Sequence, residues 1–196
     1  MSGALDCYFL DPYVAFTANI KTYGTNGTFT ETIPTGATTL TIELWGATGY
    51  GGHGNFATGN QGGGGGSGAY VRHLLTVTGA GGQTFTVVIG AGGNGLVSTV
   101  VNGTFATATS LSSASGGNGG VASPYADGAA GAAAVIGTGG NVVNLVGNGG
   151  NAGGDGGGGG GAAVIGVNGT GNSGAAGTYT VSNAAGKNGT AIFSYV

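Results

Sequence analysis

Charge is what this sequence has least of. Three Lys/Arg and six Asp/Glu among 196 residues make it 5% charged, with a net charge of −3. No basic patch exists to neutralise phosphates, which argues against nucleic acid as a partner. Nothing resembles a polybasic membrane-surface segment. Cysteine is nearly absent: Cys7 stands alone, so no disulfide can form within the chain, and the thiol reads as a small buried or idle group. Proline is scarce too. With three prolines and no strict glycine period, a collagen triple helix is excluded. No apolar run free of glycine approaches the roughly 18 residues of a membrane-spanning helix. The opening MSGALDCYFLDPYVAF has no basic leading region, and Asp6 and Asp11 bracket its apolar run, so no signal peptide is expected. A chain of this kind suits synthesis in a cytoplasm and incorporation into a particle.

Catalytic and metal chemistry are missing from the sequence pattern as well. His53 and His73 have no Cys, Asp or Glu at ligand spacing, so no metal site is expected. No carboxylate–histidine pair stands near any serine, and no carboxylates are paired at useful spacing. There is no GK[ST] phosphate loop, because Asn188 follows Gly186-Lys187. Gly90, Gly92 and Gly95 satisfy G-x-G-x-x-G after a strand-like run. The β-branched LVSTVV follows instead of a helix, and the next acidic residue is Asp127. The expectation is a non-enzymatic protein without cofactors.

What abounds is glycine, with 51 residues, about a quarter of the chain against a usual ~7%. Such a density taxes folding through backbone entropy. Yet 40% of the chain is hydrophobic and little of it is charged, which is not the composition of a disordered polymer. Alternation supplies the order. Thr28 to Ile33 reads as a strand ended by Pro34, and Thr39 to Trp45 puts Leu40, Ile42 and Leu44 on one face. Trp45, at the strand's end, is read as closing the end of the sheet core. Tyr70 to Thr78 and Phe85 to Ile89 are predicted to pair as a hairpin across a glycine turn. A second short hairpin is predicted over 96–111 around Asn102-Gly103, with an edge strand over 178–181 and a terminal strand over 190–196. No sustained helical stripe occurs. The Asn-Gly-Thr triplets at Asn26, Asn102, Asn168 and Asn188 are read as type I′ or related turns.

Two glycine tracts, 46–68 and 116–177, interrupt these strands. Glycine can adopt an extended helix of three residues per turn that has no internal hydrogen bonds. Its N–H and C=O groups then need partners, and glycine-only faces let neighbouring backbones come close enough to supply them. Polyglycine II helices are therefore expected, built from runs of varied length without a strict period. Tyr50, His53, Asn55, Phe56 and Tyr125 would push such helices apart, so they are expected on exposed turns at the bundle ends. There they are candidate contacts for carbohydrate or a protein loop. Residues 1–27 differ from the rest. This arm carries Tyr8, Phe9, Leu10, Tyr13 and Phe16, too short a stretch to bury its own aromatics. It is expected to attach to a partner, with one more strand of the body as the alternative.

The strand TLTIELWGATGYGGHG, the stretch GGGGGSGAYVRHLLTVTGAGGQTFTVVIGAGG and the closing GTAIFSYV together resemble the glycine-rich domain of bacteriophage tail-fibre and receptor-binding proteins. The resemblance covers residues 28–196. Its landmarks are Trp45-Gly46-Ala47, Ser67-Gly68-Ala69-Tyr70 and Gln83-Thr84-Phe85-Thr86-Val87. Two departures stand out: Thr48 and Tyr50 interrupt the first glycine run, and Gly79-Ala80-Gly81-Gly82 replaces the usual Pro-Gly turn. The resemblance implies an all-β fold, a small antiparallel, jelly-roll-like β-sandwich with polyglycine II helices inserted and essentially no α-helix. It also implies a virion-surface role as a tail-fibre tip, head fibre or decoration protein. The arm would bind other virion proteins, and the tract tips would bind bacterial surface carbohydrate or an outer-membrane protein. A homo-oligomer is expected, with a trimer among the options. The alternatives are a capsid or tail cement protein with no receptor and, third, an ice-binding bundle.

Overall fold

The computed structural model describes residues 16–93, 95–123, 125–153 and 184–196. Runs of β-branched and aromatic residues alternating with polar ones form nine strands among them: β1 (Asn19–Tyr23), β2 (Gly27–Thr32), β3 (Thr39–Trp45), β4 (Tyr70–Thr76), β5 (Thr84–Ile89), β6 (Ser98–Asn102), β7 (Ser110–Ser113), β8 (Val143–Leu145) and β9 (Thr190–Tyr195). They make two antiparallel sheets, ordered β1-β9-β3-β4-β8 and β2-β5-β6-β7. Leu40, Ile42 and Leu44 of β3 point inward, opposite Phe85, Val87 and Ile89 of β5, with Val100, Leu111 and Phe193 filling between. Each such side chain contributes about 1.5–3 kcal/mol by leaving water. The described residues form no α-helix, and the architecture is the all-β sandwich expected from the alternation. The terminal strand β9 lies inside its sheet, between β1 and β3.

The predicted hairpin of Tyr70–Thr78 with Phe85–Ile89 does not form. β4 pairs with β3, from Trp45↔Tyr70 to Thr39↔Thr76, whereas β5 pairs with β2 and β6 in the other sheet. The connection between them crosses the sandwich. Val77 and Ala80 are buried at this corner, and Gly79 and Gly82, at φ of 76° and 85°, turn the chain twice. Sequence proximity suggested local pairing, but two strands with one apolar face each can equally well face one another across the core. The hairpin over 98–113 does form, with Val100 opposite Leu111. Its turn is not the predicted type, however. No described residue other than glycine has positive φ, so Asn26, Asn102 and Asn188 are not in type I′ turns. Cys7, Asn168 and the strand predicted over 178–181 lie outside the described residues.

The body begins earlier than Thr28. Residues 19–23 form the edge strand β1 on β9, Tyr23 meets Phe193 edge-on at 5.9 Å, and Phe16 packs on the core beside Gly36. One buried carboxylate fastens this edge across the sandwich. Glu31 of β2 accepts hydrogen bonds from Lys21 Nζ at 2.9 Å, from the Tyr23 hydroxyl, and from the Tyr195 hydroxyl at 2.8 Å. All three donors come from the opposite sheet, so a charge that would be costly to bury alone is matched there by fixed donors.

Between the strands the glycine tracts form a second kind of order. Along 46–55 every third N–H bonds the 60–69 segment: Gly46 to Ala69 O, Gly49 to Gly66 O, Gly52 to Gly63 O and Asn55 to Asn60 O, at 2.7–3.1 Å. The same step of three joins Gly63 and Gly66 to Gly120 O and Gly117 O, and Gly117 and Gly120 to Ala132 O and Ala129 O. It recurs from Gly147, Gly150 and Gly153 to Ala134, Gly131 and Gly128. A β ladder repeats every two residues. A repeat of three is the spacing of an extended helix with three residues per turn, and none of the glycines in this ladder has positive φ. Neighbours run both antiparallel and parallel, as where Gly116, Gly119 and Ala122 donate to Ala47, Tyr50 and His53.

The 60–69 segment is the axis of this bundle. It bonds to four neighbours, the 46–55, 114–120, 128–131 and 148–151 segments, and residues 61–70 are buried without interruption. All its sides are therefore in contact, which accounts for five consecutive glycines there. A Cβ at Gly62, Gly65 or Gly68 would overlap the 46–52 backbone, and one at Gly63 or Gly66 would overlap Ala129 or Ala132 O. Outer segments touch the bundle on fewer sides and need glycine at fewer positions. Gly128, Gly131, Ala134 and Gly137 are buried while the residues between them are exposed. The expectation of glycine runs without a period is corrected here: around the axis, small residues recur every third position.

Candidate functional site

Two described excursions leave the sandwich together. One departs after Trp45 and returns at Tyr70. The other departs after β7 and comes back through 126–137. At ~3.1 Å per residue, a run of about nine residues carries each turn some 28 Å outward. The outer ends are the 55–60 and 123–126 turns. Asn55 shapes the first: its Oδ1 accepts the Ala57 N–H at 3.1 Å and its carbonyl accepts the Gly59 N–H at 2.9 Å. Ser123 shapes the second, its Oγ accepting the N–H groups of Tyr125 and Ala126. Asn60 Nδ2 donates to Ser123 O at 2.8 Å and ties the two turns into one tip.

Here the structure brings together four of the five predicted contact residues. His53, Asn55 and Phe56, with Gly54, Ala57 and Ala122, line an open depression of about 410 Å³. Phe56 is 74% exposed on its rim, and Tyr125, on the neighbouring turn, is 96% exposed. An exposed aromatic ring next to amide and carbonyl groups can stack on a flat apolar partner face while the amides hold hydroxyls or a peptide backbone.

Tyr50 is not at this tip. It is half-buried; its ring lies on the backbone of Gly93, and its N–H donates to Asn118 Oδ1 at 2.8 Å. The residue faces the β5–β6 loop. Of the arm residues, Phe16 packs on the core, and Tyr8, Phe9, Leu10 and Tyr13 lie outside the described residues. Trp45 is buried against Tyr70, ring centroids 4.9 Å apart, and cannot serve as a stacking platform.

Sequence reasoning missed Asn60, Ser123 and Asp127, the residues that make the tip rigid. Asp127 Oδ1 accepts the Gln61 N–H at 2.6 Å and anchors the second excursion to the axis. The available signal was their position, a polar residue at each end of a glycine run. His73 has a structural part: its Nδ1 accepts the Asn141 N–H at 3.2 Å, and burial holds its pKa below the usual value. Among the described residues, no three His, Cys, Asp or Glu side chains converge.

The fold and tip define a class, a β-sandwich from which hydrogen-bonded glycine helices project. The chain belongs to the glycine-rich domain family, which it matches over residues 24–195. No curated protein matches it in sequence.

Proposed function

We propose that this chain is a non-enzymatic structural protein of a bacteriophage virion, in which a polyglycine II bundle holds a contact tip out toward the host surface. The observation that carries the reading is the period-three ladder, which makes a projection mostly from glycine and alanine backbone and ends it in two linked turns bearing Phe56 and Tyr125. A glycine bundle is a costly way to build a core, since glycine loses the most backbone entropy on folding. It becomes useful where thin, closely packed helices must present short loops whose sequence can vary without disturbing the scaffold. The tip's partner is host surface carbohydrate or an outer-membrane protein, and the aromatic arm bearing Tyr8, Phe9, Leu10 and Tyr13 carries the attachment to the particle.

The test is a binding assay with the purified chain. Labelled protein stains host cells and delays infection when added before phage; Phe56→Ala with Tyr125→Ala abolishes both effects while the melting curve is retained. Wild-type protein that neither stains nor competes sinks the receptor role. In that case particles lacking the protein would be tested for loss of stability, the outcome expected of a cement protein.

A further inference from the structure

We infer that the depression at the tip binds an uncharged sugar. The inference rests on the reading of the tip as the contact surface, and it chooses between the two kinds of partner named for it. Charge is the first discriminant. The two excursions, 46–69 and 114–137, contain no Lys or Arg, and their one charged residue, Asp127, is acidic. Asp127 is exposed, and one of its carboxylate oxygens holds the Gln61 N–H at 2.6 Å. A phosphate, sulfate or carboxylate group entering the depression would lose hydration with no cation on either excursion to pair with. Hydroxyl groups meet no such barrier, because neutral donors and acceptors suffice for them.

The depression offers that set. His53 Nδ1 lies 3.2 Å from Gly54 O; with the ring proton on Nδ1, this atom donates to the carbonyl and Nε2 is left to accept. Asn55 Oδ1 is occupied by the Ala57 N–H at 3.1 Å, which fixes the amide and leaves Nδ2 as an open donor among the described residues. Phe56 adds an exposed ring on the rim. A sugar matches all three, with hydroxyls that donate and accept around its edge and a C–H face that covers an aromatic ring. Size is the second discriminant. A volume of about 410 Å³ falls within the ~300–1,000 Å³ of small-molecule sites. A stable protein contact takes about 800 Å² and roughly 20–30 residues from each side, which the 55–60 and 123–126 turns are too short to supply alone.

Saturation-transfer NMR on the full chain tests this with glucose, galactose and N-acetylglucosamine, and with glucuronate and galacturonate as charged counterparts of the first two. At least one neutral sugar is expected to bind at roughly millimolar concentration, and each uronate at least about tenfold more weakly than its neutral counterpart. Phe56→Ala weakens the sugar about tenfold with an unchanged melting curve, and Phe56→Tyr, which keeps the ring, retains it. The inference is overturned if none of the three neutral sugars binds, if a uronate binds as tightly as its neutral counterpart, or if folded Phe56→Ala keeps full affinity. Host cells separate this inference from the reading beneath it. Staining that survives periodate and is removed by protease places a protein at the tip, which keeps the contact surface and overturns the sugar. Sugar binding by a chain that stains no cells upholds the inference and sinks the host role.

Discussion

A single methyl group added at two glycines of the bundle should act with opposite sign. Gly66 sits on the axis. Its N–H donates to Gly117 O at 2.8 Å, its carbonyl accepts from Gly49 N–H at 2.9 Å, and a Cβ there would overlap Ala132 O. No side-chain rotation relieves that overlap, because the obstacle is backbone. Gly66→Ala must push the 129–132 segment outward or shift the axis, which strains both hydrogen bonds. Two bonds at a net ~1 kcal/mol each, plus overpacking of ~1–3 kcal/mol, less ~0.4–1 kcal/mol from a stiffer unfolded chain, leave a loss of about 2–4 kcal/mol. At roughly 2–4 °C per kcal/mol for a chain of this size, the melting temperature should fall by about 10 °C.

Gly149 lies in the same bundle, but a Cβ there meets Gly131 O at 3.4 Å, an ordinary contact, and its φ is not positive. Gly149→Ala should keep the folded state intact and restrict only the unfolded chain, a gain of about 0.4–1 kcal/mol. The assay is urea and thermal unfolding of the two variants beside wild type, followed by circular dichroism at low protein concentration. If both substitutions stabilise, the axis is not closely packed and glycine is there for flexibility. If both destabilise equally, position in the bundle does not decide which residues must be glycine.

Glu31→Ala should cost about 3 kcal/mol, because it strands the Tyr23 and Tyr195 hydroxyls between the sheets, and Glu31→Gln should cost less; urea midpoints give the order. Burial, with the Glu31 charge beside them, raises the pKa of both tyrosines above the usual value. The unfolded chain therefore gives up these protons near pH 10 while the folded chain still holds them, and stability should decline as pH climbs past about 10. Tyr195→Phe should be less stable at neutral pH and show a shallower alkaline decline; an unchanged slope would mean that Tyr195 does not contribute. At the tip, Phe56→Ala and Tyr125→Ala should each alter stability by less than about 0.5 kcal/mol, since both rings are exposed, and a larger loss on unfolding would make them part of the core.

Exposure was legible in this chain where a residue's type conflicted with its surroundings. Phe56 and Tyr125 were recognisable because a large ring amid glycine has no place inside a closely packed bundle, and both are exposed on the tip. Tyr50 met the same criterion, yet its ring lies on Gly93 of the β5–β6 loop. Sequence alone does not say which side of a three-residue turn faces a neighbour. The glycine period was hidden for a related reason. Gly46, Gly49 and Gly52, or Gly147, Gly150 and Gly153, recur every third position, but the axis between them carries five glycines in a row and masks the repeat. Once the 60–69 segment is seen to be enclosed, its five glycines and its neighbours' every-third glycines have one cause.

The sequence by itself determined the all-β character, the inward faces of Leu40, Ile42, Leu44, Phe85, Val87 and Ile89, and the handover at Trp45 and Tyr70 from side-chain packing to glycine. These are local properties: alternation marks a half-buried strand, and a residue without a side chain can pack only through its backbone. Tertiary structure alone decided that β4 and β5 face each other across the core instead of pairing, that β9 lies between β1 and β3, and that Glu31 joins the sheets. It also decided which glycine segment is the axis. Each of these depends on which surfaces meet across long stretches of chain. Two apolar faces or two glycine faces satisfy one another equally well in several arrangements until the whole core is assembled.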